Sequence, residues 1–147
     1  MPSHGREELE QEGRLIRKHT RASLMSDTNW RKLLSAFDTP ELQLQQCIVK
    51  FVGIADGKVM RRPVGLFPPR PWIDTAEFGP IPLRSTQWML FPRIAEHERG
   101  NRSVPSGQVE QDVDAAARIV DALGKYPAQL SERGLLIVGH LVKLPLG

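Results

Sequence analysis

Cysteine is nearly absent from these 147 residues: Cys47 stands alone, so no intrachain disulfide can staple the fold and every zinc site needing two or more thiolates is excluded. Long apolar runs are missing too. None approaches the roughly 20 residues of a membrane-spanning helix, and no charged-then-apolar leader opens the chain, so a cytoplasmic protein with no membrane partner is expected. There is no Gly-x-Ser-x-Gly elbow, no phosphate loop and no dinucleotide fingerprint, and no two histidines share the three- or four-residue spacing of a helical metal pair. The commoner hydrolase, nucleotidase and dehydrogenase chemistries therefore have no warrant here. Neither a cofactor nor a metal is expected, and no residue is assigned a catalytic role.

What is present is ordinary for a globular domain, with 40% hydrophobic and 25% charged residues. A chain of this length folds as one domain and buries roughly two thirds of its unfolded surface. The net charge of +3 comes from 20 basic and 17 acidic residues spread along the chain, which makes a mixed surface rather than a basic one. In residues 1–24 the acids come first and the bases last, the order that suits a helix dipole, but Leu9, Leu15 and Ile16 are the only large apolar groups before Leu24. Such a helix can bury little. Met25 followed by Ser26-Asp27-Thr28-Asn29-Trp30 reads as a natural start, so residues 1–24 are expected to form an N-terminal extension, helical or mobile, and residues 25–147 a single domain.

Within that domain, Trp30, Leu33, Leu34 and Phe37 repeat at helical spacing behind the capping residues Asp27 and Thr28. Cys47 to Ile54 is rich in branched and aromatic residues and runs into Asp56-Gly57, a strong hairpin signal, with Lys58 to Arg62 returning. Six prolines between Pro63 and Pro82 exclude helix and leave room for one short edge strand, Trp72 to Thr75. Thr86 to Phe91 alternates as a strand. Residues 95–107 are polar and turn-rich and predict an exposed loop. Val109, Val113, Ala116, Ala117, Val120 and Leu123 predict a helix closed by Gly124, and Leu135 to Leu141 predicts a central strand, apolar on both faces. The pattern predicts an α+β fold: a mainly antiparallel sheet of four to five strands with two main helices packed on one face, plus the N-terminal extension. Trp88, Val113 and Ile137 are expected to meet in one core.

Chemistry-bearing residues are sparse. Cys47 opens an apolar strand with no basic neighbour in sequence, which predicts a buried, inert thiol. His97 lies between Glu96 and Glu98, but neighbours in an extended chain diverge, so these three make no ligand set on their own. Asp74, Glu77, His97 and His140 are the groups from which an acid–base site would have to assemble. Arg61, Arg62, Phe67, Arg70, Trp72, Arg84, Trp88 and Phe91 interleave cations with rings, as single-strand nucleic-acid binders do.

In the second half, the order of Gly79-Pro80-Ile81-Pro82, of Gln87-Trp88 leading to Phe91-Pro92, of Leu123-Gly124-Lys125-Tyr126-Pro127, and of Glu132-Arg133-Gly134-Leu135-Leu136-Ile137-Val138-Gly139-His140 resembles a family of small bacterial proteins of unknown function. Members begin with an Asn-Lys/Arg-Trp helix, and Asn29-Trp30-Arg31 stands at that place here. The resemblance covers residues 26–141 and implies a bacterial, cytoplasmic, single-domain protein with no catalytic residue to carry over. Gly139-His140 departs from the glycine and aromatic expected at that point.

Two kinds of binding and one of chemistry follow from these observations. The first is a non-enzymatic protein that binds another protein, of immunity or accessory type. The second is a nucleic-acid-binding module, and the third an enzyme with an unrecognised acid–base site. The binding residues put forward are Arg61, Arg62, Arg70, Trp72, Arg84 and His97.

Overall fold

Ser26 starts the first helix of the body: its hydroxyl accepts the N–H of Asn29 at 3.1 Å, an N-cap one residue before the expected position. The helix, Asp27–Phe37, buries Trp30, Leu33, Leu34 and Phe37 on one stripe. A second helix, Val113–Leu123, is capped by Asp112, whose carboxylate accepts the N–H of Ala115, and buries Val113, Ala116 and Val120. Val109, expected in this helix, belongs instead to a strand. In the computed structural model residues 6–39, 41–42, 44–55, 57–61, 72–75, 79–96 and 108–142 are described.

Helix α1 is Arg6–His19, so the two helices of the body are α2 and α3. The strands are β1 (Thr20–Ser23), β2 (Gln46–Phe51), β3 (Lys58–Arg61), β4 (Trp72–Thr75), β5 (Gly79–Pro82), β6 (Thr86–Pro92), β7 (Ile94–Glu96), β8 (Gln108–Glu110), β9 (Ala128–Leu130), β10 (Gly134–Val138) and β11 (His140–Val142), with a 3₁₀ turn at Leu83–Ser85. The fold is α+β. Five strands form an antiparallel sheet in the order β3-β2-β6-β10-β9, and β1-β11, β4-β5 and β7-β8 form three antiparallel pairs.

Alternation decides which residues of the sheet are inside. Cys47, Val49 and Phe51 of β2, Met89 and Phe91 of β6, and Leu135 and Ile137 of β10 face α2 and α3 and make one core with their buried stripes. Phe37 of α2 meets Phe91 edge-on, with ring centres 5.1 Å apart. Both helices therefore pack on the same face.

Several expectations need correcting. Val113 and Ile137 are in the core, but Trp88 is not: it pairs with Lys50 and Val138 on the opposite face, because Met89 is the β6 residue in register with Val49 and Ile137. Alternation in β6 marks two faces without saying which one is covered. Leu135 to Leu141 is not one strand, since it breaks at Gly139 into β10, which lies inside the sheet between β6 and β9, and β11, which pairs with β1. Residues 94–96 pair with 108–110 as a hairpin, and positions 97–107 of the expected loop lie outside the described residues. In the proline-rich stretch Trp72–Thr75 is a strand, paired with Gly79–Pro82.

Residues 15–24 are built into this arrangement. Strand β1 pairs with β11, the N–H of Leu24 donates to Gly139 O at 2.8 Å, and Ile16 and Thr20 are buried. Leu15 of α1 lies against Gly53, after β2.

Buried Gln111, just before α3, fastens three segments. Its Oε1 accepts the N–H groups of Gln45 at 2.7 Å and Gln46 at 2.9 Å, and its Nε2 donates to Gln46 O at 3.1 Å and Pro92 O at 2.8 Å. All four hydrogen-bonding positions of the carboxamide are used. Gln111→Leu is expected to cost about 2 kcal/mol, because it strips partners from part-buried backbone groups at the start of β2 and the end of β6 at once. Urea unfolding checks this, and a loss below about 1 kcal/mol contradicts the fastening role.

Candidate functional site

Of the six binding residues put forward from the sequence, only Arg84 has described surroundings. Arg61 ends β3 opposite Gln46, and Trp72 opens β4 opposite Pro82. Arg62, Arg70 and His97 lie outside the described residues. The acid–base candidates fare similarly: Asp74 sits in β4 opposite Pro80, Glu77 and His97 are outside the described residues, and His140 opens β11.

Arg84 occupies the 3₁₀ turn and its peptide unit is held at both ends. Its N–H donates to Asp27 Oδ1 at 2.8 Å, and its carbonyl accepts from His140 Nε2. A carbonyl can only accept, so Nε2 carries the proton in the neutral ring and Nδ1 is the acceptor for the Ser23 hydroxyl, 2.9 Å away. Burial raises the Asp27 carboxyl from its ordinary value, opposed by the hydrogen bond from Arg84 and by the Arg84 and Arg31 guanidinium groups. The junction thus joins β1, α2, the 3₁₀ turn and β11.

A serine hydroxyl on a histidine nitrogen is also the contact that activates nucleophiles. Here His140 is only 4% exposed and both its nitrogens bridge chain segments, which makes the pair a clamp between β1 and the turn before β6. Cys47 is fully buried and its thiol is pushed up to about 12 by loss of solvent, so it stays protonated and unreactive. Among the described residues no three His, Cys, Asp or Glu side chains are placed to hold a metal, and no helix is long and apolar enough to cross a membrane.

The second face of the sheet carries a continuous apolar row. Val59, Ile48, Leu90 and Leu136 stand side by side across β3, β2, β6 and β10, each in register with the next, and the polar Gln129 of β9 ends the row. Lys50, Trp88 and Val138 form the adjoining row. The Trp88 ring extends over Ile48 toward Gly57, since both side chains come within 3.1 Å of the point where a Gly57 Cβ would stand. Ile48, Trp88, Leu90, Leu136 and Val138 are half-buried, and Val59 is 62% exposed. Lys50 turns its ammonium aside to Phe51 O and Gln87 Oε1, so the charge is engaged at the rim of the row.

The sequence pointed to rings and arginines around 61–72, not to this row. The signal was available in the alternation of β2, β6 and β10, whose non-core residues are mostly apolar where a solvated face would be polar. No family model matches the chain, and neither a curated protein nor a solved structure similar to it is found.

Proposed function

We propose that this protein acts by binding another protein rather than by catalysis, and that the partner lies on the outer face of the five-stranded sheet. The observation that carries the reading is the cross-strand row Val59-Ile48-Leu90-Leu136, extended by Trp88 and Val138, with Val59 largely exposed. Contiguous apolar surface of this kind is what partners cover.

Size favours a segment over a whole domain. Four strands span about 14 Å at the usual interstrand spacing and the two rows add about 10 Å of width, so the patch is roughly 140 Å² in plan. A standard stable interface takes roughly 800 Å² from each partner, which makes a second copy of this chain a poor occupant and one helix or strand with an apolar stripe a good one. A bacterial source and a cytoplasmic setting, both expected from the sequence, belong to the same proposal.

A photo-crosslinking amino acid at Val59, with Asp121 on the exposed side of α3 as the control position, tests this in the native host. One discrete adduct from position 59 that is absent from position 121 is the expected result. Identical adducts from both positions, or none from position 59, overturn it.

A further inference from the structure

Strand β9 ends the five-stranded sheet, and the hydrogen bonds on its inner side fix which backbone groups it leaves open. Ser131 and Gly134 exchange both N–H···O bonds, at 2.9 and 3.2 Å, and the N–H of Val138 donates to Pro127 O at 2.9 Å. Leu130, Gln129 and Ala128 are in register with Leu135, Leu136 and Ile137. The alternation of an antiparallel pair therefore turns the backbone groups of Pro127, Gln129 and Ser131 toward β10 and those of Ala128 and Leu130 away from it. The Ala128 N–H donates to Tyr126 O at 2.8 Å. That leaves the Leu130 N–H, the Leu130 carbonyl and the Ala128 carbonyl facing outward, without a partner among the described residues.

Charge and proline, which commonly blunt a sheet edge, do not blunt this one. No charged residue stands between Lys125 and Glu132, and the nitrogen of Pro127 faces β10, so its missing N–H is not lost from the open side. Leu130 shares the helix side of the sheet with buried Leu135, yet it is 45% exposed. Leu123, at the end of α3 where that helix packs beside β9, is 40% exposed. The charged residues that flank the strand, Lys125, Glu132 and Arg133, are exposed and of both signs, so main-chain and apolar contact decide what fits here.

We infer that the β9 edge takes an extended apolar segment of another protein as a sixth, antiparallel strand, bonded to Leu130 and Ala128 and covering Leu123 and Leu130. A strand of three residues is about 10 Å long, and pairing over that length falls far short of the roughly 800 Å² that each partner gives to a stable interface, so a second copy of the chain is a poor occupant. A single segment needs less, because main-chain bonds supply its affinity and alternate side chains its specificity. This edge is separate from the outer sheet face, and the inference does not rest on the reading given for that face.

The probe is the blocked peptide acetyl-Ser-Thr-Val-Leu-Val-Thr-Ser-amide, titrated into the ¹⁵N-labelled full chain and into Leu130→Pro and Leu130→Lys, with amide shifts and hydrogen exchange as readouts. Saturable shifts centred on residues 128–130 and slowed exchange of the Leu130 amide are the expected result. Leu130→Pro removes the outward donor where an edge strand tolerates proline, and Leu130→Lys keeps the donor while replacing the apolar contact by a charge. Each is expected to weaken peptide binding at least about tenfold. Should Leu130→Pro lower the thermal midpoint, Leu130→Lys carries the comparison, since it changes only an exposed side chain. No saturable shifts, shifts confined to the outer row of Val59, Leu90 and Leu136, or equal binding by Leu130→Lys overturn the inference. Protection of the Leu130 amide that grows with protein concentration, without peptide, assigns the edge to a second copy and overturns it too.

Discussion

Gly139→Ala is expected to destabilise the fold by about 3 kcal/mol, lowering the thermal midpoint by about 10 °C. A Cβ at this position would stand 2.1 Å from Thr86 O and 3.1 Å from Trp30 Cζ2. Neither neighbour has room to give: Thr86 is paired with Phe51 inside the sheet, and Trp30 is fully buried in the core. Nor can the glycine retreat cheaply. Its N–H donates to Gln87 O at 2.7 Å and its carbonyl accepts from Leu24, so a shift breaks the join between β6 and the β1-β11 pair. Gly124→Ala supplies the comparison, because nothing lies within 4 Å of its added carbon although its φ is +139°. Backbone strain alone should cost about 1–2 kcal/mol there. Urea or thermal unfolding of both variants checks the order, and a Gly139→Ala protein as stable as Gly124→Ala would mean that β6 and Gly139 do not approach this closely.

Removing residues 1–24 is the second large effect, with an expected loss of about 3 kcal/mol and of amide protection at residues 140–142. The deletion takes away β1, the strand paired with β11, and with it the hydrogen bond from Ser23 to His140 Nδ1 and that from Leu24 to Gly139. It also uncovers the apolar area now shielded by Ile16, whose burial alone is worth about 1.5–3 kcal/mol. His140 would keep its bond to Arg84 O but present Nδ1 to water. Hydrogen exchange on the shortened chain reads this directly. Unchanged protection at 140–142 and an unchanged unfolding midpoint would show that α1 and β1 contribute nothing to the fold.

The parts of this structure legible in the sequence are those set by local periodicity. The stripes of α2 and α3, the pairing of β2 with β3 and the β6 strand follow from spacings within a dozen residues, and the α+β class follows from their order. Contacts between distant segments were not legible. Thr20-Arg21-Ala22-Ser23 has no apolar alternation and forms a strand only because β11, about 120 residues later, offers an edge for it. Gln111 looks like any polar residue before a helix cap, since three of its four bonds lead 65 or 66 residues back and the fourth 19. Trp88 was readable as a strand residue but not as an outward one, a choice fixed by the register of β6 against β2 and β10.

The same limit applies to the candidate sites. Arg84 was singled out for its place in a run of rings and cations, yet the partners that hold its peptide unit are Asp27 and His140, 57 and 56 residues away in the chain. The outer apolar row depends on pairings among four strands, and no single strand displays it. Sequence therefore supplied the elements and the inert character of Cys47, and register supplied the surfaces.

The affinity of the segment captured at position 59, measured for the unaltered protein and for Val59→Asp, tests the proposed function most directly. Val59 is 62% exposed, so the change should leave the folded state intact while placing a charge at the β3 end of the apolar contact. A loss of at least about tenfold, or 1.4 kcal/mol, is the predicted result. Affinity unchanged by Val59→Asp, in a protein that unfolds at its usual midpoint, would contradict the claim that the outer sheet face is where the partner binds.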